Sequence, residues 1–335
     1  MNETMLENGL DFILDAIEQL IEAERDSCEN RERKIKYSLL HLSSGIELVL
    51  KSRLNIEHWT YIFADMNKAN KKALEGGSFR SVDSIQAVER LEKMCGVNIE
   101  EKDKNSFKKL REFRNKTEHF KSNSSIQAIE SSINRAINSI VSFISENYCD
   151  FESPNIIDFR DDNNDWGLKE EEKLLYHRIT ESVSQLNNHY SDAIKMAKAK
   201  ANAEIDIHEL ICCPSCQENF FKVGDFDDDI CHCYFCSYSE HGQKAADDYL
   251  THIEGIYEYE IVKDGERYPL FDCPECGDNS FIQVEHEFIC FSCGNRENIN
   301  DIGFCENCGV PYVLDAEEDI GLCQNCIDYK WDNMD

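Results

Sequence analysis

Residues 110–120 read LREFRNKTEHF, and the first half of the chain takes its meaning from them. Arg114 stands five residues before His119, with Asn115 beside the arginine. A guanidinium is a permanent, planar cation that grips phosphate oxygens through two parallel hydrogen bonds. An imidazole moves a proton near neutral pH. Together they supply what cleavage of a phosphodiester needs without a metal. The same two residues also describe a solvated, charged helix face, so the neighbouring sequence decides between the readings.

Outward from that stretch, residues 4–150 read as helices. Leu6, Leu10, Ile13, Leu14, Ile17, Leu20 and Ile21 recur at three- and four-residue intervals, the stripe of an amphipathic helix. Ile35, Leu39, Leu42, Ile46, Val49 and Leu50 mark a second. A less regular segment with Trp59, Tyr61 and Phe63 follows, punctuated by Gly76 and Gly77. Asp83 has the character of an N-cap, for a short helix that ends near Gly96. Further helices are predicted from about Glu100 to Arg114 and from about Ser124 to Asn147. The sum is a bundle of four or five helices.

A bundle whose second helix reads SLLHLSSGIELVLKSRL, and which later carries LREFRNKTEHF, resembles the HEPN family of nucleic-acid-processing domains. The family is marked by an Arg, commonly followed by a polar residue, with four to six residues in all before a His. Arg114, Asn115 and His119 match that pattern over a domain of about residues 1–150. The resemblance implies an all-α fold and metal-independent endoribonuclease activity in a homodimer whose Arg/His pairs face each other. His119 would carry the proton, Arg114 would stabilise charge on the phosphorane, and Asn115 would hold the phosphate or orient its neighbours. Glu47 corresponds to a polar position that faces the site; read from its own helix, it is an i,i+4 ion-pair partner of Lys51. Lys108, Lys109, Arg111 and Lys116 lie close to the motif and are the candidate RNA contacts, with Lys102, Lys104 and Lys121 nearby. Other family members have lost catalysis and serve in binding or assembly.

The net charge of −31 is unevenly spread. Residues 1–150 hold 22 Lys and Arg against 25 Asp and Glu, whereas residues 151–335 hold 13 against 41. The second half is a polyanion that repels nucleic acid and suits a basic protein surface. The N-terminal stretch is acidic and lacks the basic flank and apolar core of a secretion signal. No apolar run approaches membrane-spanning length, so the reading is a soluble cytoplasmic protein without membrane contact.

Pro154 and residues 160–167, RDDNNDWG, read as a polar linker. A long helical pattern from about Leu168 to Ile207 follows, as a spacer or a dimer-forming arm, and residues 151–210 form a helical connector. Twelve of the 17 cysteines then fall into pairs. Cys213, Cys216, Cys233 and Cys236 form one set; Cys273, Cys276, Cys290 and Cys293 a second; Cys305, Cys308, Cys323 and Cys326 a third. Each set is two C-x-x-C knuckles with 13 to 16 residues between them, the spacing of a four-thiolate zinc ribbon. Three β-hairpin ribbons over 211–240, 270–297 and 302–330, each holding one structural Zn²⁺, are predicted. Gly277, Gly294 and Gly309 follow their knuckles where a positive φ is needed, while Gln217 and Ser237 take those places in the first unit. Cys212, Cys231, His232 and His241 are rival ligands there. Cys28, Cys95 and Cys149 read as ordinary buried thiols.

The architecture predicted is therefore multidomain: a HEPN-like helical bundle, a helical connector and three zinc ribbons. The leading function is a HEPN-type endoribonuclease, used as a toxin or antiviral defence effector as related domains are, with the ribbons recognising a protein or restraining the nuclease. The alternatives are a non-catalytic dimeric adaptor whose ribbons hold a protein partner, and an accessory factor in transcription or RNA processing.

Overall fold

The computed structural model describes residues 4–25, 28–119, 125–149, 168–206, 209–263, 265–314 and 321–332. The chain forms two compact units, Met1–Ala193 and Ile194–Asp335. The first is helical and the second carries small antiparallel sheets. Among the described residues no helix is long and apolar enough to cross a membrane.

The helical unit opens with α1 (Met5–Ala23), started by a capping box in which Thr4 and Glu7 satisfy each other's backbone N–H groups. Its stripe of Leu10, Ile13, Leu14 and Ile17 is buried against Ile35, Leu39, Leu42 and Ile46 of α2 (Cys28–Glu57). The two helices run antiparallel and touch closely where Gly9 faces Gly45. A Cβ on Gly45 would lie 2.7 Å from Ile13 Cγ1 and 2.8 Å from the Gly9 carbonyl. Ser38 and His41 of α2 bond back to the Ala16 carbonyl and the Asp15 carboxylate.

The irregular segment after α2 is organised by one arginine. Arg90, on α4 (Ser84–Cys95), donates to the carbonyls of Tyr61, Phe63 and Ala64. Phe63 stacks on Phe79 with ring centroids 4.1 Å apart. The short α3 (Lys71–Glu75) ends at Gly76 and Gly77. Asp83 caps α4 through a capping box with Gln86, and Gly96 closes it in the left-handed conformation. Then come α5 (Glu101–His119) and α6 (Ile126–Ile144), which continues through one π-type turn to Cys149. Tyr148 anchors that turn by donating to the Val49 carbonyl, 3.0 Å away.

The next helix departs from the sequence reading. α7 (Glu170–Asn202) is neither a spacer nor a free arm along its first two-thirds. Ile179, Val183 and Leu186 are buried. Thr4 Oγ1 donates to Glu172, Arg178 pairs with Glu18, Tyr190 donates to Ser131, and the amides of Asn187 and Asn138 bond each other. The helical unit therefore extends to Ala193 rather than stopping near 150. The linker reading at 151–167 falls outside the described residues.

In the second unit, β1 (Phe221–Lys222), β2 (Ile230–Cys233) and β3 (Ser239–His241) form a three-stranded sheet. Two elements not foreseen follow, α8 (Gly242–Tyr249) and, after a π-type turn, the short α9 (Glu258–Lys263). A four-stranded sheet comprises β4 (Phe271–Asp272), β5 (Asn279–Val284), β6 (Glu287–Cys290) and β7 (Arg296–Asn298). The foreseen hairpin is β5–β6, with Phe281 opposite Cys290 and Val284 opposite Glu287. β8 (Ile302–Phe304) pairs with β9 (Pro311–Val313), and α10 (Gln324–Asp332) ends the described chain.

The ribbons are not separate beads. Phe291 and Ser292, between the last two cysteines of the second set, pack into the first ribbon. The Gly224 N–H donates to the Phe291 carbonyl at 2.9 Å. A Cβ on Gly224 would sit 2.5 Å from the Ser292 carbonyl, and one on Gly242 would sit 2.6 Å from the Ser292 backbone. Phe221 and Tyr249 close around the Phe291 ring. The third ribbon joins through Phe304, whose ring meets those of Phe271 and Phe288.

Candidate metal centres and candidate active site

Five of the six knuckles share one backbone design. The N–H after the second cysteine donates to the carbonyl of the first: Gln217 to Cys213, Ser237 to Cys233, Gly277 to Cys273, Gly294 to Cys290 and Gly309 to Cys305. That closing residue has positive φ in all five, including Gln217 at 60° and Ser237 at 58°. The missing glycines of the first ribbon therefore do not alter its turns; a side chain is carried in the left-handed region at a conformational cost. The sixth knuckle differs. Cys323 and Cys326 straddle the start of α10, where the N–H groups of Cys326 and Ile327 both donate to the Cys323 carbonyl.

These turns bring each set of four sulfurs together, all within 4.8 Å of one another. Cys213–Cys236 and Cys216–Cys233 are 3.7 Å apart, Cys273–Cys293 3.8 Å, Cys276–Cys290 3.7 Å and Cys308–Cys323 3.6 Å. Four sulfurs bound at about 2.3 Å to a tetrahedral ion stand about 3.8 Å from each other. A disulfide needs about 2.05 Å, so the spacing fits metal coordination and not bridging. The donor set is closed, with no position left for substrate.

Within each cluster the sulfurs share charge unevenly, one thiol being pulled down while neighbours are pushed up. Burial pushes the Cys213 thiol up, while hydrogen bonds from Cys213, Cys216 and Cys233 pull Cys236 down. Cys290 is held down to about 4 by the Cys273 thiol and, to a lesser degree, the Ser280 hydroxyl. Ser280 Oγ lies 3.2 Å from Cys290 Sγ, and Asn307 Nδ2 donates to Cys326 Sγ at 3.2 Å. These supporting groups carry no spacing signature in the sequence.

The rival ligands of the first ribbon are otherwise occupied. Cys231 Sγ donates to the Phe291 carbonyl at 3.1 Å, and burial pushes its thiol up to about 12. The His232 ring lies edge-on to Tyr234. His241 pairs with Asp229, whose carboxylate raises the imidazole above its usual value. Cys212 is half-buried and outside the four-sulfur group. Cys95, at the end of α4, is half-buried, and burial pushes its thiol up to about 11; the side chains of Cys28 and Cys149 lie outside the described residues.

In the helical unit, Arg114, Asn115 and His119 lie within the last two turns of α5. Arg114 is half-buried, and its Nη1 donates to Asn115 Oδ1 at 3.4 Å; Asn115 is exposed. His119 is the last residue of the helix, and its side chain lies outside the described part. Glu47 is engaged by Lys51, which also donates to Ser81 at 2.7 Å. The ion-pair role is the one the contacts display.

The basic cluster is smaller than the sequence suggests. Lys109 is 6% exposed, with its ammonium 5.6 Å from the Phe113 ring one turn on. It occupies the core side of α5 with Ser106, Leu110 and Phe113, so it does not belong to an open RNA-facing surface. Arg111 pairs with Asp83 at 2.8 Å, and Lys104 with Glu92 and Glu101. Lys108 and Lys116 remain exposed. The ribbon unit is acidic throughout, with 6 Lys and Arg against 29 Asp and Glu over residues 209–335.

Comparison with protein-family models, with curated proteins and with solved structures gives no match.

Proposed function

We propose that this protein is a metal-independent endoribonuclease of the HEPN type whose three cysteine clusters hold structural zinc. The observation that carries the reading is the placement of Arg114 and His119 together in the last two turns of α5. Both residues belong to one helix, five positions and about 7.5 Å of axial rise apart, so a single element carries the cation and the imidazole. His119 takes the proton from the attacking 2′-hydroxyl or returns one to the leaving oxygen. Arg114 neutralises the charge that builds on the phosphorane, the work a metal does elsewhere. In a homodimer two such helix ends face each other across one RNA strand. A toxin or antiviral effector is the setting in which such an activity is used.

Zinc is supported by the all-sulfur donor set and its tetrahedral spacing. Four thiolates around Zn²⁺ leave a charge of −2 per site, which deepens the acidity of the ribbon unit. That charge favours a basic protein partner over nucleic acid for the ribbons, and it suits restraint of a basic RNA-binding surface.

The test is cleavage of RNA in the absence of free divalent ions. The products should carry 2′,3′-cyclic phosphate and 5′-hydroxyl ends, and DNA, without the attacking hydroxyl, should survive. His119→Ala should abolish cutting and keep RNA binding. Arg114→Lys should recover little, because an ammonium does not copy a bidentate grip. Cleavage that persists in His119→Ala rejects the mechanism. A second reading, a non-catalytic dimeric adaptor, is favoured by the buried Lys109 and the paired Arg111, which reduce the basic surface. RNA binding or dimerisation without any cutting would select it.

A further inference from the structure

The three clusters differ in how well they are enclosed. All four cysteines of the first are buried; in the second only Cys276 is half-buried; in the third Cys308 is exposed. Their surroundings follow the same gradient. The second cluster sits among Phe271, Phe281, Phe288 and Ile302, and the first ribbon shares Phe221 and Tyr249 with Phe291. The core of the third is Cys305, Cys323 and Cys326, with Tyr312 and Leu322 packed against it. Its sheet has two strands, and its sixth knuckle is the first turn of a helix instead of a hairpin. The exposed sulfur, Cys308, faces Cys323 at 3.6 Å. Arg267 donates to the Cys308 carbonyl at 2.9 Å, bringing a permanent positive charge to the same knuckle.

We propose that the third cluster is a peroxide-sensitive metal site, in which oxidation joins Cys308 to Cys323 and releases the ion while the other two clusters keep theirs. The Cys308 thiolate attacks one oxygen of hydrogen peroxide. The O–O bond breaks, and the departing hydroxide takes a proton to become water, leaving a sulfenic acid on Cys308. The Cys323 thiolate then attacks that sulfur; the S–S bond forms, and the second oxygen leaves as water after taking a proton. Two thiolates lose two electrons, and one peroxide accepts them with two protons. Two thiolates remain, too few to hold the ion, and Cys305 and Cys326 take up protons as it leaves. The gradient of enclosure sets the order, because oxidation follows thiolate character and access. Loss of this ion frees α10 from the end of the ribbon array and leaves the first two ribbons folded.

The inference rests on zinc occupying the clusters, and the test separates the two claims. Full-length protein of measured metal content is titrated with hydrogen peroxide in the presence of a zinc indicator. Disulfides are mapped by differential alkylation and mass spectrometry. One zinc equivalent should leave on the order of tenfold faster than the other two. The first bridged peptide should join Cys308 to Cys323, and a thiol reductant with added zinc should restore the site. Cys308→Ser should lack the fast equivalent. Release of all three ions in one phase, or a first disulfide within either of the other clusters, overturns the proposal and leaves the zinc assignment standing. Protein isolated without zinc overturns the metal assignment and the proposal with it.

Discussion

On α1 and α2 alone, Leu10, Ile13, Ile17, Ile35, Leu39 and Leu42 are fully enclosed. Among its described residues the third ribbon encloses little besides its own cysteines. The helical unit is held by aliphatic stripes that exclude water at about 25 cal/mol per Å² of apolar surface. In the ribbon unit, on the zinc reading proposed above, fold and metal are one equilibrium, since sulfurs 3.6 to 3.8 Å apart fit tetrahedral coordination. The two units are therefore vulnerable to different changes. Volume changes break the first, and ligand loss breaks the second.

The largest effect should come from Cys290→Ser. Each structural zinc is worth on the order of 10–16 kcal/mol of apparent binding energy, most of which is folding energy. Cys290 also begins the knuckle whose Phe291 and Ser292 lie against Gly224 and Gly242. The variant should lose its own ion and loosen the first cluster, seen as zinc content falling below two per chain, while helical circular dichroism largely survives. Loss of one ion alone would show that the first two ribbons are independent.

Gly45→Ala probes the other unit. The new Cβ meets Ile13 and the Gly9 carbonyl at 2.7 and 2.8 Å, so α1 and α2 must separate. A destabilisation of about 1–3 kcal/mol is expected, read as a lower melting temperature of the helical transition at unchanged zinc content. A shift in zinc content would couple the units and break the comparison.

The smallest change should be favourable. Ser237 holds φ at 58°, where a glycine relieves the clash of Cβ with its own backbone. Ser237→Gly should stabilise the first ribbon by about 1 kcal/mol and slow its loss of zinc to a chelator. Faster loss would mean that the serine hydroxyl matters more than its backbone.

Much of this was legible in the sequence because it is written in local patterns. Asp83 and Gly96 bracket α4 as their types dictate, and the cysteine spacing places all twelve clustered sulfurs. What stayed hidden depends on which surface an element meets. The apolar stripe of α7 announces packing but not its partner, so a bundle helix reads as a connector. Lys109 contributes a charge to any count, and only its register with Phe113 shows that it points inward. Arg90 reaches carbonyls 26 to 29 residues away, which no local pattern encodes. The positive φ of Gln217 and Ser237 is imposed by the knuckle against the preference of the residue.

The proposed function puts chemistry and metal in different units, with Arg114 and His119 acting without an ion. RNA cleavage by the full-length protein, followed before and after the zinc is stripped and its removal verified, tests this most directly. Cleavage should continue in the stripped protein with the same cyclic-phosphate ends and the same loss in His119→Ala. Cleavage that disappears with the zinc and returns when it is restored would place the metal in the reaction and contradict the account.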